Sequence, residues 1–348
     1  MQSIAKHKGM IMAKETVQTL EDIARLANVS KSTVSRALNN SPLLNPETVE
    51  RIQAIAREHH FRINAPARNL RLRNSRTIAF VAPDYYPEFY SGEDLFGLEI
   101  LGGIGTGLRG LGYDLLIVHV NPRDTAWVHD YLDSGRVDGF ILITSKLKPP
   151  FIKSLVDMEV PFIGWGTPVS NFNYCSVSAD NIAGGRLATQ HLIGLGRQRI
   201  AFLGGPEGSL TVMNRFKGYE SALQAAGRSV DPNLVAYGDY SYTSGTAVMQ
   251  CLMGRSPDLD AVFVNSDLMA ISAIHTINSS GKRVPEDIAV IGYDDLPIAA
   301  YNNLPLTTIR QNLPLAGKLL AQNLIQYIQT GVVTSVTVPV ELVVRKSA

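Results

Sequence analysis

Val29-Ser30-Lys31-Ser32-Thr33-Val34-Ser35-Arg36-Ala37-Leu38-Asn39 is the stretch on which the fold of this chain turns. The Ser30 hydroxyl suits a helix cap. The residues after it put Val34, Ala37 and Leu38 on one side at helical spacing and Lys31, Ser32, Ser35 and Arg36 on the other. A helix over about Lys31 to Leu38 therefore hides a small apolar stripe and displays hydrogen-bond donors. Upstream, Thr19-Leu20-Glu21-Asp22 reads as an N-cap with an acid three positions on, and Leu20, Ile23, Ala24 and Ala27 predict a first helix ending near Leu26. Asn28, between the two, tolerates the left-handed conformation of a tight turn. Downstream, Asn45-Pro46-Glu47 is a cap followed by proline at the first helical position, with Val49, Ile52, Ala56 and His59 as inner face. Three short helices around one small core, the second presented outward, make a helix-turn-helix.

Charge points the same way. The 348 residues carry a formal net charge of +1, but thirteen Lys or Arg against six Asp or Glu make residues 1 to 76 +7 and leave the remainder at −6. A basic segment on an acidic body is the footprint of a protein that meets nucleic acid with one part, although charge by itself fits a solvated helix face equally well. At 45% hydrophobic and 18% charged the chain has material for packed cores, and its length allows two or three domains. Apolar runs such as Ile200 to Leu203 fall far short of the roughly 20 residues of a membrane span. The patch from Gly9 to Ala13 is too short for the core of a secretion signal, so a cytoplasmic location is expected. Cys175 and Cys251 offer neither a disulfide framework nor a zinc spacing, and no cofactor or metal is expected.

The two runs quoted above resemble the head of the lactose-repressor (LacI/GalR) family of bacterial transcription regulators. In that family the residues after the capping serine read the major groove, which carries over to Lys31, Ser32, Ser35, Arg36 and Asn39, with arginine able to bind guanine through two bonds. Asn64-Ala65-Pro66-Ala67-Arg68-Asn69-Leu70-Arg71 resembles the family's hinge helix, and Leu70 falls at its minor-groove wedge. Ile63 stands where the family usually has proline and Pro66 where it has an aliphatic residue; Pro66 is tolerable in the first turn of a helix capped by Asn64.

Beyond Arg76, short β-rich runs (Thr77 to Val81, Leu115 to His119, Phe140 to Thr144, Ile200 to Leu203, Ala261 to Val264, Ala289 to Ile291) alternate with helical stretches. That alternation predicts parallel α/β sheets, two series of it predict two lobes, and ligands of such sheets sit beyond the carboxyl ends of the strands. The resemblance extends here through Asp180 to Gly184, Arg215 to Tyr219, Ser266 to Ala270, Gly292 to Pro297 and Leu306 to Gln311. It implies two lobes of the periplasmic-binding-protein type, with crossings near Asp180, Ile309 and Thr334, and effector contacts at Arg215, Asp294 and Tyr240. Ser266 stands where the family often has asparagine. Asp84, Tyr85 and Trp165 lie in or beside loops after strands, where the aromatics suit a sugar face or a base.

The expected organisation is a tail over residues 1–16 without fixed structure, a helix-turn-helix over 17–62, a hinge over 63–76 and an effector-binding domain over 77–348. Its N-lobe comprises 77–180 and 310–333, its C-lobe 181–309 and 334–348. The expected function is a homodimeric, non-enzymatic repressor of a carbohydrate-utilisation operon that binds operator DNA and a sugar effector. A purine-responsive regulator of the same family and a two-lobed sugar-transport protein are the alternatives; the latter calls for a secretion signal and no helix-turn-helix. Gly105-Thr106-Gly107-Leu108-Arg109-Gly110 matches G-x-G-x-x-G, the basis of a dehydrogenase reading, but Leu98, Leu101, Ile104 and Leu108 place it within a helix instead of after a strand. Adjacent His59 and His60 face different sides of a helix and suit no metal.

Overall fold

The computed structural model describes residues 19–39, 41–61, 74–83, 95–121, 124–144 and 147–348. The chain divides into two compact units, Met1–Arg73 and Asn74–Ala348. In the first, α1 (Leu20–Ala27), α2 (Lys31–Leu38) and α3 (Pro46–Glu58) bury Ile23, Ala24, Ala27, Val34, Ala37, Ile52 and Ala56 together. The local signals act as their chemistry predicts. Thr19 forms a reciprocal capping box with Asp22, Asn28 turns the chain at φ 52°, Ser30 caps α2 and Asn45 caps α3. His59 ends α3 as its C-cap.

The second unit is built from β1 (Thr77–Pro83), α4 (Leu95–Leu111), β2 (Asp114–Val120), α5 (Ala126–Leu132), β3 (Gly139–Ile143), α6 (Pro149–Asp157), β4 (Phe162–Trp165) and β5 (Cys175–Ala179). There follow α7 (Asn181–Gly194), β6 (Ile200–Gly204), α8 (Leu210–Ala225), β7 (Val235–Tyr237), α9 (Tyr242–Arg255), β8 (Ala261–Val264), α10 (Asp267–Ser279) and β9 (Ala289–Asp294). The chain ends with α11 (Pro297–Tyr301), β10 (Thr307–Gln311), α12 (Leu313–Thr330), β11 (Ser335–Val338) and β12 (Val340–Val343). They form two six-stranded sheets of matching topology, β2-β1-β3-β4-β5-β11 and β7-β6-β8-β9-β10-β12, parallel except for β12 against β10. Each sheet has helices on both faces: α4 and α12 against α5 and α6 in the N-lobe, α9 and α10 against α7 and α8 in the C-lobe. Burial on both faces explains the continuous apolar runs of the strands.

The lobe boundaries differ from the expected ones in two places. Ile309 lies within β10, paired to Tyr293 of β9, so the second crossing follows Gln311, where Asn312 caps α12. Thr334 precedes β11, which pairs with β5 of the N-lobe from Ser335↔Ser176 to Val338↔Ala179; the third crossing is at Pro339. The G-x-G-x-x-G run is helical, inside α4, while the preceding strand ends at Pro83. A Cβ on Gly107 would press on Ala321 and Lys318 of α12, whereas Gly105 and Gly110 face open space. Gly107 serves helix packing, and the run as a whole forms a helix in place of a phosphate turn.

Candidate functional site

The exposed side of α2 presents Lys31, Ser32 and Arg36 to solvent, with Ser35 half-buried. Arg36 makes no side-chain hydrogen bond or ion pair among the described residues. Lys31 is engaged instead, its Nζ donating to Glu21 Oε1 at 2.6 Å, a bond that holds the Glu21 carboxyl below its usual range. The Ser32 hydroxyl shares a 2.7 Å hydrogen bond with Ser30, and Asn39 donates its amide to the Ser35 carbonyl at 2.6 Å, closing the helix end. Any phosphate or base contact by Lys31 therefore competes with an existing, solvent-exposed ion pair, which is weakly held. Leu70 lies outside the described residues.

In the second unit a cleft of about 700 Å³, mouth included, opens between the lobes at the carboxyl ends of both sheets. Strand ends place its walls: Ile143, Trp165 and Ala179 close β3, β4 and β5, Asp294 and Gln311 close β9 and β10, and Asn265 follows β8. This is the position at which parallel sheets bind ligands. The N-lobe contributes an apolar wall. Trp165 packs against Phe96 of α4 at 6.2 Å between ring centres, and its carbonyl accepts the Thr144 hydroxyl at 2.9 Å. The C-lobe contributes the polar wall.

Arg215, on α8, is buried there with its guanidinium 3.5 Å over the Tyr293 ring; Nε donates to Asn181 Oδ1 at 2.8 Å and Nη1 to the Asn265 carbonyl at 2.7 Å. Burial lifts the Tyr293 hydroxyl to about 12 despite the guanidinium. Asp294 accepts from Gln311 Nε2 at 2.6 Å and sits at φ 114°, followed by Asp295 at φ 57°. Two consecutive non-glycine residues in this region are strained and persist because their surroundings dictate them. Here Asp295 is gripped from two sides, by Arg310 Nε and Arg345 Nη2, each at 2.6 Å. Tyr240, half-buried at φ 76°, lies over Gly205, where a Cβ would strike its ring.

Behind this turn Asp267 is wholly buried, its carboxylate accepting from the Thr308 hydroxyl at 2.6 Å and the Leu296 N–H at 2.7 Å. Burial, then the neighbouring Asp294 charge, pushes its pKa well above the ordinary carboxylate range. A raised folded-state pKa means that the group's contribution to stability is complete below its unfolded value, near 4, and declines as pH rises through the folded value. Asp267→Asn keeps an acceptor for Leu296 and offers Thr308 a donor. It is therefore expected to flatten the decline in Tm from acid to neutral pH, and thermal melts across that range check it. An unchanged slope removes Asp267 as its source.

The structure thus brings Arg215, Asp294, Tyr240, Trp165 and Ser266 to one cleft. Asp84 and Tyr85 lie outside the described residues. The Ser266 hydroxyl is already used, accepting from Met269 N–H as the N-cap of α10. Sequence reasoning missed Phe96, Asn181, Thr211, Asn265 and Gln311. Thr211 Oγ1 and both amide atoms of Asn265 are buried with no hydrogen-bond partner among the described residues.

A head of helix-turn-helix form and a separate two-lobed body with a buried polar cleft define a ligand-responsive DNA-binding regulator. Comparison with known proteins agrees. The model of the lacI family of bacterial regulatory proteins matches residues 19–64, and that of the periplasmic binding protein-like domain matches 189–348. The HTH-type transcriptional regulator CelR of Thermobifida fusca is 37% identical over 337 residues, 96% of this chain and 97% of its own. Among solved structures, a CelR–cellobiose complex is similar at 35% identity and TM-score 0.72, covering 95% of this chain and 99% of that one. The lac repressor dimer bound to operator and the anti-inducer ONPF is similar at 29% identity and TM-score 0.81, covering 94% and 98%. The chain belongs to the LacI family of bacterial transcription regulators.

Proposed function

We propose that this regulator is a repressor of a carbohydrate-utilisation operon, binding its operator as a homodimer, without enzymatic activity, and responding to a short saccharide held by Arg215 and Asp294. The observation that carries the effector class is the two-faced cleft. One wall is apolar and aromatic, suited to the C–H face of a sugar ring; the other is buried and polar, with the Thr211 and Asn265 atoms still unsatisfied. Each buried unpaired group costs about 1–3 kcal/mol, and ligand hydroxyls bound beside them relieve that cost. Arginine and carboxylate supply charge-assisted bonds to hydroxyls as well.

The test is thermal stabilisation by a panel of mono- and disaccharides, with cellobiose first because a similar protein is solved with it, and with purines as the competing class. A ligand at 100 times its Kd adds about 2.7 kcal/mol. Each stabilising compound is then tested for its effect on operator affinity. Stabilisation by purines alone replaces the saccharide reading.

For the head, Arg36→Ala is expected to weaken operator binding by about 1–3 kcal/mol and relax specificity at one base pair per half-site, because this exposed guanidinium is free to bind a base edge with two bonds. An unchanged preference in a binding-site selection removes Arg36 from base readout.

A further inference from the structure

Among the described residues, the charged side chains that line the cleft, Arg215 and Asp294, are held by amides that stand at the crossings between the lobes. Asn181 opens α7 directly after the first crossing. Its Oδ1 accepts from Arg215 Nε at 2.8 Å, and its Nδ2 donates to the carbonyl of Ala179, the last residue of N-lobe strand β5, at 3.0 Å. Gln311 ends β10 just before the second crossing and donates to Asp294 Oδ1 at 2.6 Å. The third crossing is tied to the first by the Asp180 N–H, which donates to the Val338 carbonyl at 3.0 Å. Asn181 and Gln311 are both buried, and the Tyr293 hydroxyl adds a longer bond, 3.4 Å, to Asn181 Oδ1.

We propose that Asn181 and Gln311 are positioning residues that couple Arg215 and Asp294 to the angle between the lobes. The proposal rests on the reading of Arg215 and Asp294 as effector contacts. A guanidinium that turns toward a ligand either draws Asn181 with it, pulling on the Ala179 carbonyl, or leaves the buried Asn181 Oδ1 with only the longer Tyr293 bond, a loss that a low local dielectric makes costly. The same choice faces Gln311 when Asp294 moves. An adjustment at the polar wall is therefore delivered to two of the three strands of chain about which the lobes turn, and the Asp180–Val338 bond carries it to the third.

Asn181→Asp separates the two halves of the link. It retains an acceptor for Arg215 and suits a helix N-terminus, but has no donor for Ala179. Gln311→Leu removes the other link and serves if the first variant does not fold. The exposed thiol of Cys251 on α9 takes one spin label and Asp130→Cys on α5 takes the second, while Cys175 is buried. Full-length labelled chain is diluted with unlabelled chain, and the intrachain distance distribution between the lobes is measured without ligand.

The expected result is a broader distribution in Asn181→Asp than in the parent; a role confined to stability lowers Tm and leaves the distribution alone. The effect of cellobiose on operator affinity, of the order of 5- to 150-fold for a coupled regulator, is expected to fall to about twofold or less. An unchanged distribution in Asn181→Asp, or in Gln311→Leu if the first does not fold, overturns the proposal. A broadened distribution in a protein whose parent ignores every saccharide keeps the link and overturns the effector reading.

Discussion

Asp294→Ala is expected to weaken saccharide binding by about ten- to a hundredfold and to abolish the operator response at ligand concentrations that saturate the parent, while leaving ligand-free operator affinity nearly intact. A hydrogen bond to a charged group contributes about 1.5–3 kcal/mol, against 1.4 kcal/mol per decade of affinity, so the loss of one covers that range. Operator affinity is spared because Asp294 belongs to the compact unit after Arg73, whereas the proposed base contacts lie on α2 in the other. The alanine also leaves Gln311 Nε2 without its acceptor. Asp294→Asn separates these effects: it preserves the acceptor and the side-chain volume and removes the charge. A response lost in both variants assigns it to the carboxylate; one lost in the alanine alone assigns it to the Gln311 link. Operator titrations with and without the stabilising saccharide decide the matter, and a fully retained response in Asp294→Ala removes Asp294 from the site.

The head was legible in sequence because its signals are local. A cap at Thr19, a left-handed residue at Asn28 and the Asn45-Pro46 start each act within one helical turn, and α2 occupies Lys31–Leu38 as its pattern predicts. The sheets were legible where strands are wholly apolar, such as Ala261–Val264. They were not where buried strands carry hydroxyls. Cys175-Ser176-Val177-Ser178-Ala179 looks half-exposed in sequence yet is wholly buried, beside the partly exposed edge strand Ser335-Val336-Thr337-Val338 of the N-lobe. There Ser176 bonds Ser335 at 3.0 Å and Ser178 meets Thr337 at 3.5 Å. Polar groups that satisfy one another across a strand pair defeat a hydrophobic pattern, so nothing in the pattern moved the third crossing from the position near Thr334 that the family resemblance implied to Pro339, where the pairing of β11 with β5 places it.

The same reason limits the reading of the site. Arg215 and Asp294 stand in recognisable runs, but Asn265 declares itself only when burial leaves its amide unpaired. Asn181 and Gln311 declare themselves only when the crossings bring them to partners 34 and 17 residues away in sequence.

Two glycines of one helix are expected to respond to alanine with opposite signs. A Cβ on Gly185 of α7 would lie 2.0 Å from the Arg215 carbonyl oxygen, and one on Gly218 of α8 would lie 2.1 Å from the Ile182 carbonyl oxygen. The two helices therefore meet backbone to backbone, and no flexible side chain can yield. Alanine at Gly185 forces them apart at an overpacking cost of about 3 kcal/mol, the upper end for such insertions. The gain in helix propensity returns at most about 1 kcal/mol, so the net loss is about 2 kcal/mol. Since the obstructing atom belongs to Arg215 itself, the guanidinium moves as well, and saccharide binding weakens with stability. At Gly194, the last residue of α7, nothing lies within 4 Å of the added methyl. Alanine there restricts the unfolded chain and is expected to stabilise by up to about 1 kcal/mol, with no effect on ligand. Thermal melts and saccharide titrations of the two variants form a matched pair in which propensity alone predicts the same sign for both. A Gly185→Ala protein as stable as Gly194→Ala, with unchanged ligand affinity, would show that the α7–α8 contact places no constraint on Arg215.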